Sequence, residues 1–440
     1  MFLHRNYQPS WGVDVGSTEA NLMLSDLAVL ACGAIGLVAG IRRGFRPLRA
    51  GLPVLVVGGA FLALILTATV YGAAIGEEYR FAKHLVTALK FGEYGLLALA
   101  VPLVIRRCEE LAPLLLTLTL WSAAASVGAI LQFLGLVNEL EGRRPGQREP
   151  SFVGIHDLAA LSGATLAIAL VAIAFGASGR RSRGAWHVPG TGYKTITIVA
   201  GVAGAVGLVL SGALAGFVGL VAAAMAAIAI AQLRRTLTVR RLAAVAGVVV
   251  LVGAGILALR EADMRAFLRF LGVQPARDTE SFEGESYVQR LVLGYIGTRI
   301  FLDRPLLGAG WQATSEEETY GPFLPDARRR YQDAPELAFP SPEHPWGVQN
   351  AYIQAAAELG VVGLALFLGM FAAALFVAGR VAARAPPPAT RAAAVPILWL
   401  FVTMGVWLGL GLVAGIPLVG LHWLALGLAA AAPNWDAGDA

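Results

Sequence analysis

The chain is short of charge. Only 14% of its 440 residues are Asp, Glu, Lys or Arg, against 57% hydrophobic. That is too little polar surface to cover a water-soluble protein of this length, so a bilayer is the expected solvent. Cysteine is nearly absent: Cys32 lies inside an apolar run and Cys108 beside basic residues, which points away from a disulfide framework or a cysteine metal site. No Asp/Glu/His cluster has metal-ligand spacing. Residues 1–24 lack the charged-then-apolar order of a signal peptide and read as an external arm lying on the membrane.

What the chain does have is long Ala/Leu/Val/Gly runs, several exceeding the roughly 18 residues that cross a bilayer as a helix. They predict an all-α polytopic membrane protein with spans near 24–41, 52–70, 83–105, 111–137, 153–176, 195–211, 213–233, 241–259, 350–378, 395–414 and 416–432. That is eleven spans, within a range of 10–12. The 52 glycines fit helices packed backbone to backbone in lipid. The implied organisation is a bundle over 1–259, a large loop over 260–349 and a second bundle over 350–440.

Orientation follows from the basic residues. One set of alternate connections holds seventeen, from Arg42 through Arg391, while the short connections opposite hold six. The positive-inside rule puts the first set in the cytoplasm and the 260–349 loop outside. The net charge of +5 is thus a topology signal and does not call for nucleic acid.

Charges out of place are the candidate site. Lys90 and Glu93, three residues apart inside the third span, read either as a mutually neutralised pair or as a substrate contact. Arg143, Arg144 and Arg148 precede the fifth span, where guanidinium forks match phosphate oxygens or snorkel to lipid; His156 and Asp157 follow at the helix start. The large loop carries ten arginines and no lysine. Short amphipathic helices are expected at 261–272 and 285–302, the second bearing Arg290 and Arg299, and Arg328, Arg329 and Arg330 read as a solvated face.

Three passages carry a family resemblance. DRPLLGAGW over 303–311 resembles a D-x-P-L-x-G-x-G segment, QNAYIQAAAELGVVG over 349–363 resembles H-N-x(9)-G-x-x-G, and SFVGIHD over 151–157 more weakly resembles F-x-x-x-N. These segments, with the helix order and the single large loop, are similar to those of the O-antigen ligase and polymerase family over most of residues 60–380. The resemblance implies a GT-C-type membrane glycosyltransferase without metal or other cofactor. Its donor is a glycan on undecaprenyl pyrophosphate, taken at the periplasmic face of the bacterial inner membrane. The implied acceptor is a glycan or lipid A core, and a chain-length-regulating co-polymerase is a further implied partner. By position Arg290 matches the family's loop arginine. Two departures stand out: Gln349 replaces the His before Asn350, and Ser211-Gly212-Ala213 replaces Ser-Arg-Gly.

On that reading Arg290 grips the pyrophosphate with help from Arg143, Arg144, Arg148 or Arg299, and His156 is a further substrate contact. A glutamine cannot accept a proton as a base. The base is then His344, or Gln349 and Asn350 only orient the acceptor hydroxyl. Trp311 and Tyr352 are candidates to stack on sugar rings, or else interfacial anchors. Polymerisation of lipid-linked repeat units is the leading expectation. Ligation to lipid A core or protein is its rival, and a lipid-linked oligosaccharide flippase a more distant one.

Overall fold

The computed structural model describes residues 3–16, 18–137, 145–176, 193–270, 285–413 and 415–435. A β-hairpin, β1 Ser10–Val15 and β2 Thr18–Met23, comes first, pairing Trp11 with Leu22 and Val13 with Ala20. The rest is helical, built from α1 Leu24–Arg43, α2 Leu52–Ile75, α3 Phe81–Val104, α4 Leu111–Phe133, α5 Ile155–Phe175, α6 Tyr193–Ser211, α7 Leu214–Leu233 and α8 Val239–Leu259. The large loop follows with α9 Glu261–Phe270, α10 Glu285–Asp303 and the short α11 Leu324–Arg330, and the chain then closes with α12 Ala351–Arg384, α13 Pro387–Val406 and α14 Ile416–Ala431. Among the described residues ten helices are long and apolar enough to cross a membrane, and α6 supplies a shorter apolar helix over Thr195–Ser211. The chain is therefore largely membrane-spanning and almost wholly α-helical, with the small hairpin as the addition to the expected fold.

Helices α5, α13 and α14 are enclosed by the others, whereas α1 and α8 turn most of their surface outward. Small residues set the spacing. A Cβ at Gly405 of α13 would fall 2.3 Å from Gly219 of α7, so these two backbones meet directly. Polar side chains bond across the same seams: Trp399 donates to the Ala164 carbonyl (2.8 Å) and Ser126 to that of Ala203 (2.8 Å). Two of the basic residues counted for topology also hold helix ends. Arg106 donates to the Arg43 and Gly44 carbonyls after α1, and Arg234 to those of Ala383 and Ala385 at the end of α12. Cations at helix C-termini satisfy carbonyls that have no intrahelical partner.

The large loop folds on a core of its own. Val288, Val292, Ile296 and Ile300 recur every fourth residue along α10 and pack with Ala309, Tyr320, Ala327 and Phe339. Arg328, Arg329 and Arg330 lie on its exposed side, Arg328 bonded to Glu336 and Arg329 to Asp326.

Candidate functional site

The two best-matched sequence passages meet in space. Helix α12 breaks at Gly360, whose φ of 68° and ψ of −167° belong to glycine. The 303–311 turn lies in that break. Val361 N donates to Pro305 O (2.8 Å), Ala309 N to Ala357 O (2.9 Å) and Gly310 N to Glu358 O (3.0 Å). A Cβ at Gly360 would sit 2.1 Å from the Leu306 carbonyl oxygen, and one at Gly308 would sit 2.3 Å from the Glu358 carbonyl carbon. These glycines admit a backbone clamp. Glu358, fully buried, accepts from Gln312 N (2.9 Å), Thr314 Oγ1 (2.5 Å) and Gln354 Nε2 (2.9 Å), tying the clamp to the loop.

Trp311 closes the clamp from the bundle side. Its ring is 0% exposed, lies 5.8 Å from Phe91 and donates from Nε1 to Thr87 (3.2 Å), so no face is left for a sugar. Around it the first turn of α3 and the residues just before it grip the loop. Tyr79 donates to the Trp311 carbonyl (2.6 Å), while Arg80 (2.9 Å) and His84 (2.5 Å) converge on Glu316. Burial works to raise the Glu316 carboxyl, but the His84 and Arg80 bonds outweigh it and hold the group below the usual carboxylate range.

A second constellation gathers the arginines. Gly212, in the α6–α7 turn, has φ of 57°, and a Cβ there would lie 3.1 Å from Arg148 Cβ and 3.4 Å from Arg260 Cδ. Two arginine side chains thus flank the position where the family pattern has its own arginine. Arg260, the residue ending α8, is 3% exposed. It donates to Asp263 (2.7 Å from Nε) and to the Gly212 carbonyl (3.2 Å), with its guanidinium 4.8 Å over the Tyr287 ring. One turn further along α10, Arg290 approaches His156 at the start of α5, with 3.3 Å between Nη2 and Nε2. Arg290 Nε is buried without a hydrogen-bond partner, and no ion pair to Arg290 exists among the described residues. Burial, and then the charge of Arg260, press its guanidinium below its ordinary value. An arginine stays protonated regardless. Burying an uncompensated cation is costly, and a bound anion would relieve that cost.

The remaining expected site residues divide. Arg143 and Arg144 lie outside the described residues. Arg148 and His156 join Arg290, whereas Arg299 is on the loop surface, 3.9 Å from Asp326. Asn350 caps α12: Oδ1 accepts from Tyr352 N and Ile353 N (both 3.1 Å) and Nδ2 donates to Leu408 O (3.1 Å). Tyr352, a candidate to stack on a sugar, donates its hydroxyl to Met404 O (2.8 Å) and its ring lies 5.5 Å from that of Phe367. His344 is exposed and stacked on Trp346 at 5.8 Å. Gln349 makes no side-chain hydrogen bond among the described residues and stays partly exposed.

Gln349 and Asn350 nevertheless share a neighbourhood with the arginines. Gly297 of α10 packs against Val348, Gly294 against Ile353, and Arg290 lies one to two turns away on the same helix. The α13–α14 turn bridges the two groups: Leu408 takes the Asn350 amide, and a Cβ at Gly409 would lie 3.8 Å from the His156 ring. Asp157 accepts from Leu418 N (2.9 Å) and so caps α14, a helix far from it in sequence.

Two readings change. Lys90 bonds Asp26 of α1 at 2.6 Å, so its partner is across the bundle and not Glu93. Arg260 enters the site although the sequence offered it only as the start of the loop. Its signal was present in one form: an arginine directly at the end of an apolar span, where a charge is held at fixed depth.

Residues 199–368 match the model of the O-antigen ligase family. The match runs from α6 into α12 and takes in Gly212, Arg260, Arg290 and both halves of the clamp. Among curated proteins none matches the chain.

Proposed function

We propose that this chain, which carries an O-antigen ligase domain over residues 199–368, transfers a glycan from undecaprenyl pyrophosphate to a sugar hydroxyl at the periplasmic face of the bacterial inner membrane. Arg290 carries the reading. It is a partly buried guanidinium on the loop helix with its Nε enclosed, facing His156 and, among the described residues, no carboxylate, beside Arg260 and Arg148. Planar guanidinium groups pair bidentately with phosphate oxygens. As the anomeric bond breaks, negative charge grows on the departing pyrophosphate, and arginines fixed in a dry site stabilise it without reorganising. Among the described residues no group of three or more His, Cys, Asp or Glu could hold a metal, and the arginines are the groups this reading sets against the leaving charge.

The large loop, 260–349, is the catalytic lid of this scheme, held by the clamp between the N-terminal bundle over 1–259 and the C-terminal one over 350–440. Among the described residues, charges inside the spans include Asp26 bonded to Lys90 and Asp157 bonded to Leu418 N. They do not mark a path through the bundle, which favours an enzyme over a flippase.

On the polymerase reading the acceptor is a second lipid-linked glycan. Gln349 stands where ligases of the family carry histidine, and that substitution favours polymerisation; the family model's description as O-antigen ligase favours ligation. Purified protein incubated with a lipid-linked repeat unit alone separates the two. A ladder of longer lipid-linked glycans supports polymerisation. Product that forms only after a lipid A core or protein acceptor is added establishes ligation instead.

A further inference from the structure

We infer that His156 is the base that takes the acceptor's proton, and that donor binding releases it for this role by drawing Arg290 away. The inference rests on the transferase reading above.

An arginine N–H can only donate, so the 3.3 Å contact from Arg290 Nη2 requires an unprotonated Nε2 on His156. The ring is therefore neutral, with its basic lone pair covered by the guanidinium. A pyrophosphate is a stronger acceptor than an imidazole because its hydrogen bonds to arginine are charge-assisted. Once it takes the Arg290 N–H groups, the His156 lone pair is uncovered. The same anion adds negative charge beside the ring and favours its protonated form. The base thus becomes competent only when a donor is seated, which protects the donor from premature attack by water.

The surroundings fit. Arg290 touches the His156 ring, and Arg290 shares the neighbourhood of Tyr287 with Arg260, Asp263 and Arg148, while Glu149 precedes α5 and Asp157 is next to His156 on it. The Arg290 guanidinium in contact with the ring favours its neutral form until an anion arrives. Across the α13–α14 turn, Gln349 offers an amide with no hydrogen bond of its own among the described residues, suited to orient a hydroxyl. In the step itself the acceptor oxygen bonds to the anomeric carbon and the anomeric carbon–phosphate oxygen bond breaks. Its electron pair leaves with undecaprenyl pyrophosphate, and the hydroxyl proton passes to His156 Nε2 and then to water.

The test compares wild type with His156→Gln in three measurements: binding of undecaprenyl pyrophosphate alone, kcat and KM with a lipid-linked repeat unit, and the pH dependence of kcat. The variant is expected to bind the carrier within a few-fold of wild type and to lose about 10²–10⁴-fold in kcat. The wild-type profile should fall on the acid side, at a pH between about 5 and 8, and the variant should lack that fall. Unchanged kcat in the variant overturns the inference, as does a loss confined to carrier affinity, which would make His156 only a support for Arg290. A wild-type rate that is flat through this range overturns it without any variant. Failure of the transferase reading looks different, because wild type then neither binds the carrier nor forms product.

Discussion

Replacing Gly360 by alanine tests whether the family motifs are a mechanical clamp. At φ 68° and ψ −167° a side chain costs about 1–3 kcal/mol in backbone strain. The added Cβ would also stand 2.1 Å from the Leu306 carbonyl oxygen, a backbone atom that cannot swing aside. Relief means moving the 303–311 turn out of the break and giving up its three backbone hydrogen bonds, at about 1 kcal/mol each. The sum is about 4–6 kcal/mol, a large part of the ~5–15 kcal/mol that holds a typical domain. The assay is thermal melting of purified protein in detergent, with Gly379→Ala as control. Gly379 lies on the same helix, and a Cβ there meets nothing within 4 Å. At about 2 °C per kcal/mol, Gly360→Ala should melt roughly 10 °C lower, with faster proteolysis of the loop, while Gly379→Ala melts like wild type. Equal melting of the two variants would refute the clamp.

Three further outcomes are expected. Arg260→Gln should weaken binding of undecaprenyl pyrophosphate about 10–100-fold, the value of a hydrogen bond to a charged group; unchanged affinity would reduce Arg260 to a brace for the α6–α7 turn. Lys90→Met and Asp26→Asn should each destabilise by up to about 3 kcal/mol, the buried-pair cost discounted because the Lys90 side chain is 30% exposed. The double variant should lose much less than the sum, and additive losses in melting would refute the pairing. Because the His84 and Arg80 bonds hold the folded Glu316 carboxyl below the usual carboxylate range, its contribution to loop docking is complete above the unfolded value of about 4.3 and is lost as pH falls through the lowered folded value. Hydrogen exchange over 313–330 should therefore accelerate in acid, and Glu316→Gln should flatten that response.

How much of this was legible in the sequence depended on the range of the interaction. All eleven apolar segments are helical, and the helices expected at 261–272 and 285–302 appear as Glu261–Phe270 and Glu285–Asp303, because length and periodicity are local properties. The hairpin was missed although Trp11, Val13 and Val15 alternate with Gly12 and Asp14, the period of a strand. Partnerships across the chain were not readable. Lys90 had a plausible neighbour in Glu93, but its partner lies 64 residues away. Trp311 resembled a sugar platform because an aromatic beside glycines serves equally well as a plug, and only packing tells the two apart. Asn350 likewise spends both ends of its amide on capping α12 and on Leu408. Arg260 became visible only once the fold brought it beside Gly212, 48 residues earlier in the chain.

The central claim is that an arginine cluster led by Arg290 drives glycan transfer from a pyrophosphate carrier without a metal. Its most direct test incubates purified wild type and Arg290→Ala with an undecaprenyl-pyrophosphate-linked repeat unit in EDTA and follows release of the carrier. The account predicts undiminished turnover by wild type in EDTA, and none by Arg290→Ala although that variant inserts and melts normally. Transfer by Arg290→Ala at the wild-type rate, or wild-type activity lost in EDTA and restored by a divalent cation, would contradict it.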